Sequence, residues 1–191
     1  MQIDINEIKK SLEKYFTKDR FEHTLSVMET AVILAERFGA DLEKARIAGL
    51  LHDIAKEKTI DKLLEICNLY EYKPDEFSMN SINLLHGPVG ALIIRNEYGI
   101  MDQDIFSSVF FHTTAKEDMS ILDKVIYVAD KIEPLNCFDG IDIIRHEAIT
   151  NIDKVLLMLI KKGIKRVLDR EDIPHPNTIE AEKYYNRRNL I

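Results

Sequence analysis

The stretch Ala48-Gly49-Leu50-Leu51-His52-Asp53-Ile54-Ala55-Lys56 joins a run of small and apolar residues to an imidazole, a carboxylate and an ammonium. Asp41 is placed to cap a helix on which Ala45, Ala48, Gly49, Leu51, His52 and Ala55 form a stripe rich in small residues. Small side chains at a contact let a neighbouring helix come close. Adjacent helical residues point about 100° apart, so His52 and Asp53 reach a common point only at the helix edge between them. Anything held there must be completed by side chains from other helices, and this requirement sets the kind of fold to look for.

Working outward, helical periods appear on both sides. Phe21, Leu25, Met28, Val32, Ala35 and Phe38 recur at three- and four-residue steps between Asp19 and Phe38, with Gly39 as the stop. Thr59 is placed to cap a short helix through Asn68, after which Tyr70 to Asp75 reads as a connection. Pro88 predicts a helix that starts at or just after His86, with Gly99 near its far end. Asp102 precedes a helix carrying Ile105, Phe106, Val109 and Phe110 towards His112. Ser120 opens another, in which Leu122, Val125, Ile126, Ala129 and Ile132 lead past Asp130 to a stop at Pro134. A long amphipathic helix over Asp153 to Leu168, a turn over Ile173 to Asn177 and a short polar helix complete the chain. No strand-like alternation, repeat or low-complexity linker is evident. The expectation is an all-α protein, an orthogonal helical bundle of about eight or nine helices. It forms one domain over 1–191, with an N-terminal helix and a C-terminal helical appendage.

Composition narrows the function. Of 191 residues, 46% are hydrophobic and 31% charged, the balance of an ordered helical chain. A formal net charge of −7 disfavours nucleic acid as a partner, while a small phosphorylated molecule stays compatible if bound cations supply positive charge. Cys67 and Cys137 have no CxxC partner, which argues against a disulfide framework and fits a reducing compartment. The first ten residues lack a continuous apolar run, and the longest such run, Val155 to Ile160, is far short of the roughly 20 residues a membrane span needs. A cytoplasmic protein without a membrane partner is expected.

Four of the six histidines, His23, His52, His86 and His112, stand beside helix ends or apolar stripes. His23 on the preceding helix and Asp130 on a later one can complete the His52-Asp53 pair, a mixed nitrogen and oxygen set suited to iron, manganese, zinc or cobalt. Asp53 has two oxygens and can bridge two ions, leaving His86 and His112 for the second. Paired cations suit phosphoester and phosphoanhydride hydrolysis, because they activate water and neutralise charge with no nucleophilic side chain. Lys56, four residues after His52 and three after Asp53, is expected on the same helical face, where it can touch a phosphate. Taken alone, Lys56 reads more plainly as a solvated cation, and a single His-Asp dipeptide as chance. The ordered set H, HD, H, H, D is much harder to dismiss. His146, between Arg145 and Glu147, reads as a surface residue, and His175, between prolines, as part of a turn.

Five segments carry a resemblance: Arg20-Phe21-Glu22-His23-Thr24, Ala48 to Lys56, Leu85-His86-Gly87-Pro88-Val89-Gly90-Ala91, Phe111-His112-Thr113-Thr114 and Tyr127-Val128-Ala129-Asp130-Lys131-Ile132-Glu133-Pro134. On them the chain resembles the HD-domain phosphohydrolases, and more closely the bacterial YqeK-type symmetrical diadenosine tetraphosphate hydrolases, along most of its length. The resemblance implies two divalent or mixed-valence metal ions held by His23, His52, Asp53, His86, His112 and Asp130. Iron is the first expectation, with manganese, cobalt or zinc as alternatives. It further implies catalysis by Asp53 and Lys56, and cleavage of diadenosine tetraphosphate into two ADP. Arg20, Lys56, Thr113, Thr114, Lys131 and Arg145 are the expected substrate contacts. Where the family usually has an arginine this chain has Asn136, and Lys131 or Arg145 is expected to compensate. The alternatives are an HD-domain enzyme for another nucleotide, such as a deoxynucleoside phosphate or a cyclic nucleotide, and a non-catalytic nucleotide sensor that keeps a metal. The apolar stripes also leave room for a homodimer face.

Overall fold

Ten α-helices and no strand make up the described residues, 4–188, of the computed structural model. They are α1 (Ile5–Tyr15), α2 (Lys18–Phe38), α3 (Leu42–Leu51), α4 (Ile60–Leu69), α5 (Ile82–Asn96), α6 (Gln103–Phe111), α7 (Ile121–Ile132), α8 (Ile141–Ala148), α9 (Ile152–Leu168) and α10 (Pro176–Arg188). The all-α expectation holds, with ten helices in place of eight or nine. Short α8 opens after Gly140 with no side-chain cap, so it lacks the start signal that marks most of the others. The expected unit, 1–191, includes residues 1–3 and 189–191, which lie outside the described residues.

Starts read from capping chemistry are where they were expected. The side chains of Asp41, Thr59, Asp102 and Ser120 each accept from a backbone N–H in the first turn of α3, α4, α6 and α7. Gly39 ends α2 in the left-handed region at φ 76°, where glycine carries no Cβ penalty.

Two local readings are corrected. The buried face of α2 is Thr24, Val27, Met28, Ala31, Leu34 and Ala35, whereas Phe21, Leu25, Val32 and Phe38 of the expected stripe are only partly buried. α2 is packed by α3 and α7 from two sides, so its smaller residues occupy the closest approaches and its larger ones fill the flanks. The second correction concerns α5, which starts at Ile82, so that His86 lies within the helix and Pro88 in its interior rather than its first turn. Ser81 makes no side-chain cap bond, so the true start carries no signal. Pro88 removes the N–H that would meet the Leu84 carbonyl, but the segment around it gains close packing. A Cβ on Gly87 would lie 2.9 Å from the Phe110 carbonyl, and one on Gly90 3.5 Å from the His52 carbonyl.

The small-residue face of α3 does allow close approach. A Cβ on Gly49 would lie 2.8 Å from the Met28 Cα and 3.3 Å from its backbone nitrogen. Backbone cannot swing aside as a side-chain tip can. Gly49→Ala is therefore expected to destabilise the protein by about 1–3 kcal/mol through overpacking, despite a helix-propensity gain of about 1 kcal/mol. A denaturant or thermal midpoint equal to or above that of the unmodified chain would refute this account.

Two apolar clusters flank the site. The larger runs from Ile8 in α1 through α2, α3, α6, α7 and α9 to Tyr185 in α10. The smaller comprises Ala55, Leu63, Ile66, Cys67, Leu85, Val89 and Ile93, and it fixes residues two after Asp53 and one before His86. α10 is tied on through the Met119 N–H, which donates to the Tyr185 hydroxyl at 2.8 Å. His175 is buried and pairs with Asp75 at 3.3 Å, joining the turn before α10 to the connection after α4. Among the described residues no helix is long and apolar enough to cross a membrane.

Candidate metal centre

The His52-Asp53 pair is not on a helix face. α3 ends at Leu51, and residues 52–57 form a chain of turns with Ile54 N–H to Leu51 O at 3.1 Å and Lys56 N–H to Asp53 O at 2.8 Å. The cause is local: the His52 Nδ1–H donates to the Gly49 carbonyl at 2.8 Å, the acceptor that the Asp53 N–H would use in a continuing helix. The expected helical alignment of Lys56 is thus replaced by turn geometry, which still leaves Lys56 lining the same cleft.

All four imidazoles are oriented in one way. His86 Nδ1 faces the Ile82 carbonyl at 2.8 Å, His112 Nδ1 the Val109 carbonyl at 2.6 Å, and His23 Nδ1 the Glu133 carboxylate at 3.1 Å. Each such contact needs a proton on Nδ1, so in the neutral imidazole every Nε2 carries its lone pair inward. Tethering of the non-ligating nitrogen to a carbonyl or carboxylate is the usual support of a metal-binding histidine.

Those Nε2 atoms sort by the oxygens of Asp53. On the Oδ2 side, His52 Nε2 lies at 3.5 Å and His23 Nε2 at 3.8 Å, and both approach Asp130 Oδ1, at 3.6 and 3.3 Å respectively. On the Oδ1 side, His86 Nε2 lies at 2.9 Å and His112 Nε2 at 3.5 Å. Two sets, His23 with His52 and Asp130, and His52 with Asp53 and His112, each bring their ligand atoms within 4.8 Å of one another. All six residues named from the sequence therefore converge.

The donors fit a cation. His23 Nε2 and His52 Nε2 are buried with no hydrogen-bond partner among the described residues. His86 Nε2 and His112 Nε2 face each other at 3.0 Å, two lone pairs that repel unless something positive stands between them. Burial alone would raise the Asp53 carboxyl, but the surrounding imidazoles of His52, His112 and His86 outweigh it and hold the group well below the usual carboxylate range. Asp130 is likewise held down, against burial, by Lys131 and by His23 and His52. Burial pushes His112 down to about 4, which leaves its imidazole neutral and ready to ligate.

A cleft of about 840 Å³ opens over these groups. Arg20 reaches it from α2 and donates through Nη1 to Asp53 Oδ2. Lys131 Nζ donates to Asp130 Oδ2 at 3.1 Å and to the His112 carbonyl at 3.0 Å, and Lys56 Nζ donates to Asn83 at 3.0 Å. Burial pulls the Lys56 ammonium down, only partly opposed by the charge of Asp53. Thr113 lines the cleft with a buried, unpartnered hydroxyl.

Two expected substrate contacts are elsewhere. The Thr114 hydroxyl donates to the Ala115 carbonyl and Thr114 does not line the cleft. Arg145 donates to the carbonyls of Ile132, Glu133 and Asn136, closing the end of α7, so it is not free to replace a phosphate-binding arginine. Asn136 itself lines the cleft and donates to the Asp130 carbonyl at 2.7 Å. Glu133 was visible only as part of a motif, and its partner was not. Its Oε1 orients His23, while Oε2 accepts from the Leu135 N–H at 2.7 Å. Arg166 of α9 and Arg170, in the turn just after it, also line the cleft. In the sequence they look like ordinary solvated cations of a helix end.

The HD domain family model matches residues 20–135. A protein of Bacillus subtilis named "Bis(5'-nucleosyl)-tetraphosphatase, symmetrical" is 38% identical over 87% of this chain and 89% of its own. One of the same name from Staphylococcus aureus is 34% identical over 96% of this chain and 95% of its own. A crystal structure from Clostridium acetobutylicum, described as a predicted HD superfamily hydrolase involved in NAD metabolism, superposes with a TM-score of 0.94. It is 40% identical and covers 98% of this chain and 100% of that one.

Proposed function

Because this chain belongs to the HD-domain family, we propose that it is a metal-dependent phosphohydrolase that cleaves diadenosine tetraphosphate symmetrically into two ADP. The observation that carries the reading is the division of imidazoles between the two oxygens of one buried carboxylate, Asp53. The activity for which the Bacillus and Staphylococcus relatives are named favours this substrate over another nucleotide.

In this reading His23, His52 and Asp130 together with Asp53 would hold one ion, and His86 and His112 together with Asp53 the other, iron being the first choice of metal. Bound divalent cations supply an acidified water and neutralise charge that builds on phosphate oxygens. The protein's own groups do the rest. The Nδ1–H tethers fix each imidazole so that no rotamer search accompanies binding. Lys56, Lys131 and Arg20 offer cations to a chain of phosphates whose own charge the acidic protein would otherwise repel. Thr113 has a hydroxyl proton available for a phosphate oxygen. Substrate-binding energy placed on both sides of the cleft would hold the central anhydride over the metals, which favours symmetrical cleavage. The partner is a small nucleotide rather than nucleic acid, the chain works as one unit over 1–191, and its place is the cytoplasm.

Product analysis tests this directly. Protein loaded with iron, manganese or cobalt should release ADP as the sole nucleotide product from diadenosine tetraphosphate. No ADP, or ATP with AMP, would defeat the substrate assignment.

A further inference from the structure

On α9, Gly163, Arg166 and Val167 follow one another at steps of three and one residues, so they share one helix face; Arg170 stands in the turn just past the helix end, and all four line the cleft. Arg166 and Arg170 are exposed, and among the described residues neither side chain makes a hydrogen bond or an ion pair. The neighbouring cation on the same helix is different: Lys165, on another face, pairs with Asp169 at 2.8 Å. Gly163 interrupts the middle of a 17-residue helix, where glycine is unfavourable relative to alanine. Packing does not require it, because a Cβ there would meet nothing within 4 Å. Across the cleft rim Leu135 stands 58% exposed, its backbone pinned to Glu133.

We propose that this face of α9 seats the distal nucleoside monophosphate of the dinucleotide, the half that lies beyond the metal-bound anhydride. The inference rests on the function proposed above. Gly163 leaves the wall open, Val167 and Leu135 offer apolar surface to a base, and the two arginines offer planar forks that stack on a base or grip a phosphate. The cations nearer the metals already have partners, Asp53 for Arg20 and Asp130 for Lys131. The guanidinium groups of Arg166 and Arg170 are unengaged and available to the far end of a long anion. Complementing the helix C-terminus accounts for Arg166 alone and gives no reason for Gly163.

The test compares diadenosine tetraphosphate with adenosine 5′-tetraphosphate, which lacks the distal nucleoside, in the full metal-loaded chain. For Gly163→Leu and for the double variant Arg166→Ala/Arg170→Ala, the ratio of kcat/KM for the first substrate to that for the second should fall about tenfold. The loss should lie in KM. Gly163→Leu should meanwhile melt about 2–4 °C higher, because it replaces a mid-helix glycine in open space. A purely structural role for the glycine would move the melting point down. ADP formation by the unmodified chain with an unchanged ratio in both variants would overturn the α9 assignment alone. No ADP from the unmodified chain would bring down the parent reading and this one together.

Discussion

Asp53→Ala is expected to lower turnover of diadenosine tetraphosphate by at least about a thousandfold, and to leave fewer bound metal ions per chain than the unmodified protein holds. The size of the effect comes from the position of the carboxylate. Among the described residues it alone reaches both sets of imidazoles, His86 through Oδ1 at 2.9 Å and His52 through Oδ2 at 3.5 Å. Its loss would open each set and also release Arg20. Asp53→Asn is the sharper variant, because it preserves shape and volume while exchanging one oxygen for an amide nitrogen without a lone pair. Both variants should stay folded and lose activity together. Full metal content with activity within tenfold of normal in Asp53→Asn would show that the carboxylate does not join the two halves of the site.

Stripping the metal should give the largest change in stability. Four imidazole lone pairs and two carboxylates converge in a buried space, and the polypeptide cannot rearrange to satisfy them, since every Nδ1 is already tethered. A cation present at a thousand times its dissociation constant stabilises the folded state by about 4 kcal/mol, equivalent to roughly 10 °C of melting temperature for a chain of this length. Thermal unfolding of chelated protein should therefore begin well before that of the same sample reloaded with iron or manganese. Coincident transitions would mean that the cluster is satisfied without an ion.

Much of this was legible in the sequence, and the residues show why. Asp41, Thr59, Asp102 and Ser120 announce helices because a short polar side chain before an apolar period has one obvious use. The six candidate ligands were found because their types and order point to one chemistry. What escaped was set by tertiary contacts. The start of α5 was hidden because Ser81 caps nothing, and the interior Pro88 imitated a first-turn proline. The break after Leu51 depends on a histidine side chain taking a backbone acceptor, which no period reveals. Arg145 was read as a phosphate partner because its charge is visible in the sequence and its three carbonyl acceptors are not. The role of Glu133 and of the cleft-facing cations Arg166 and Arg170 likewise becomes evident only when distant segments meet.

The contact between His23 and Glu133 joins residues 110 positions apart. Translation proceeds at about 5–20 residues per second, so the first histidine waits roughly 5–20 s for its carboxylate partners to be made. During that interval α2 to α6 are available with an incomplete coordination sphere, in which Asp130 is still missing. Completion of the set that includes Asp130 must therefore follow rather than accompany synthesis of the early helices. Cells starved of the required cation should accumulate full-length apoprotein, not truncated or stalled chains.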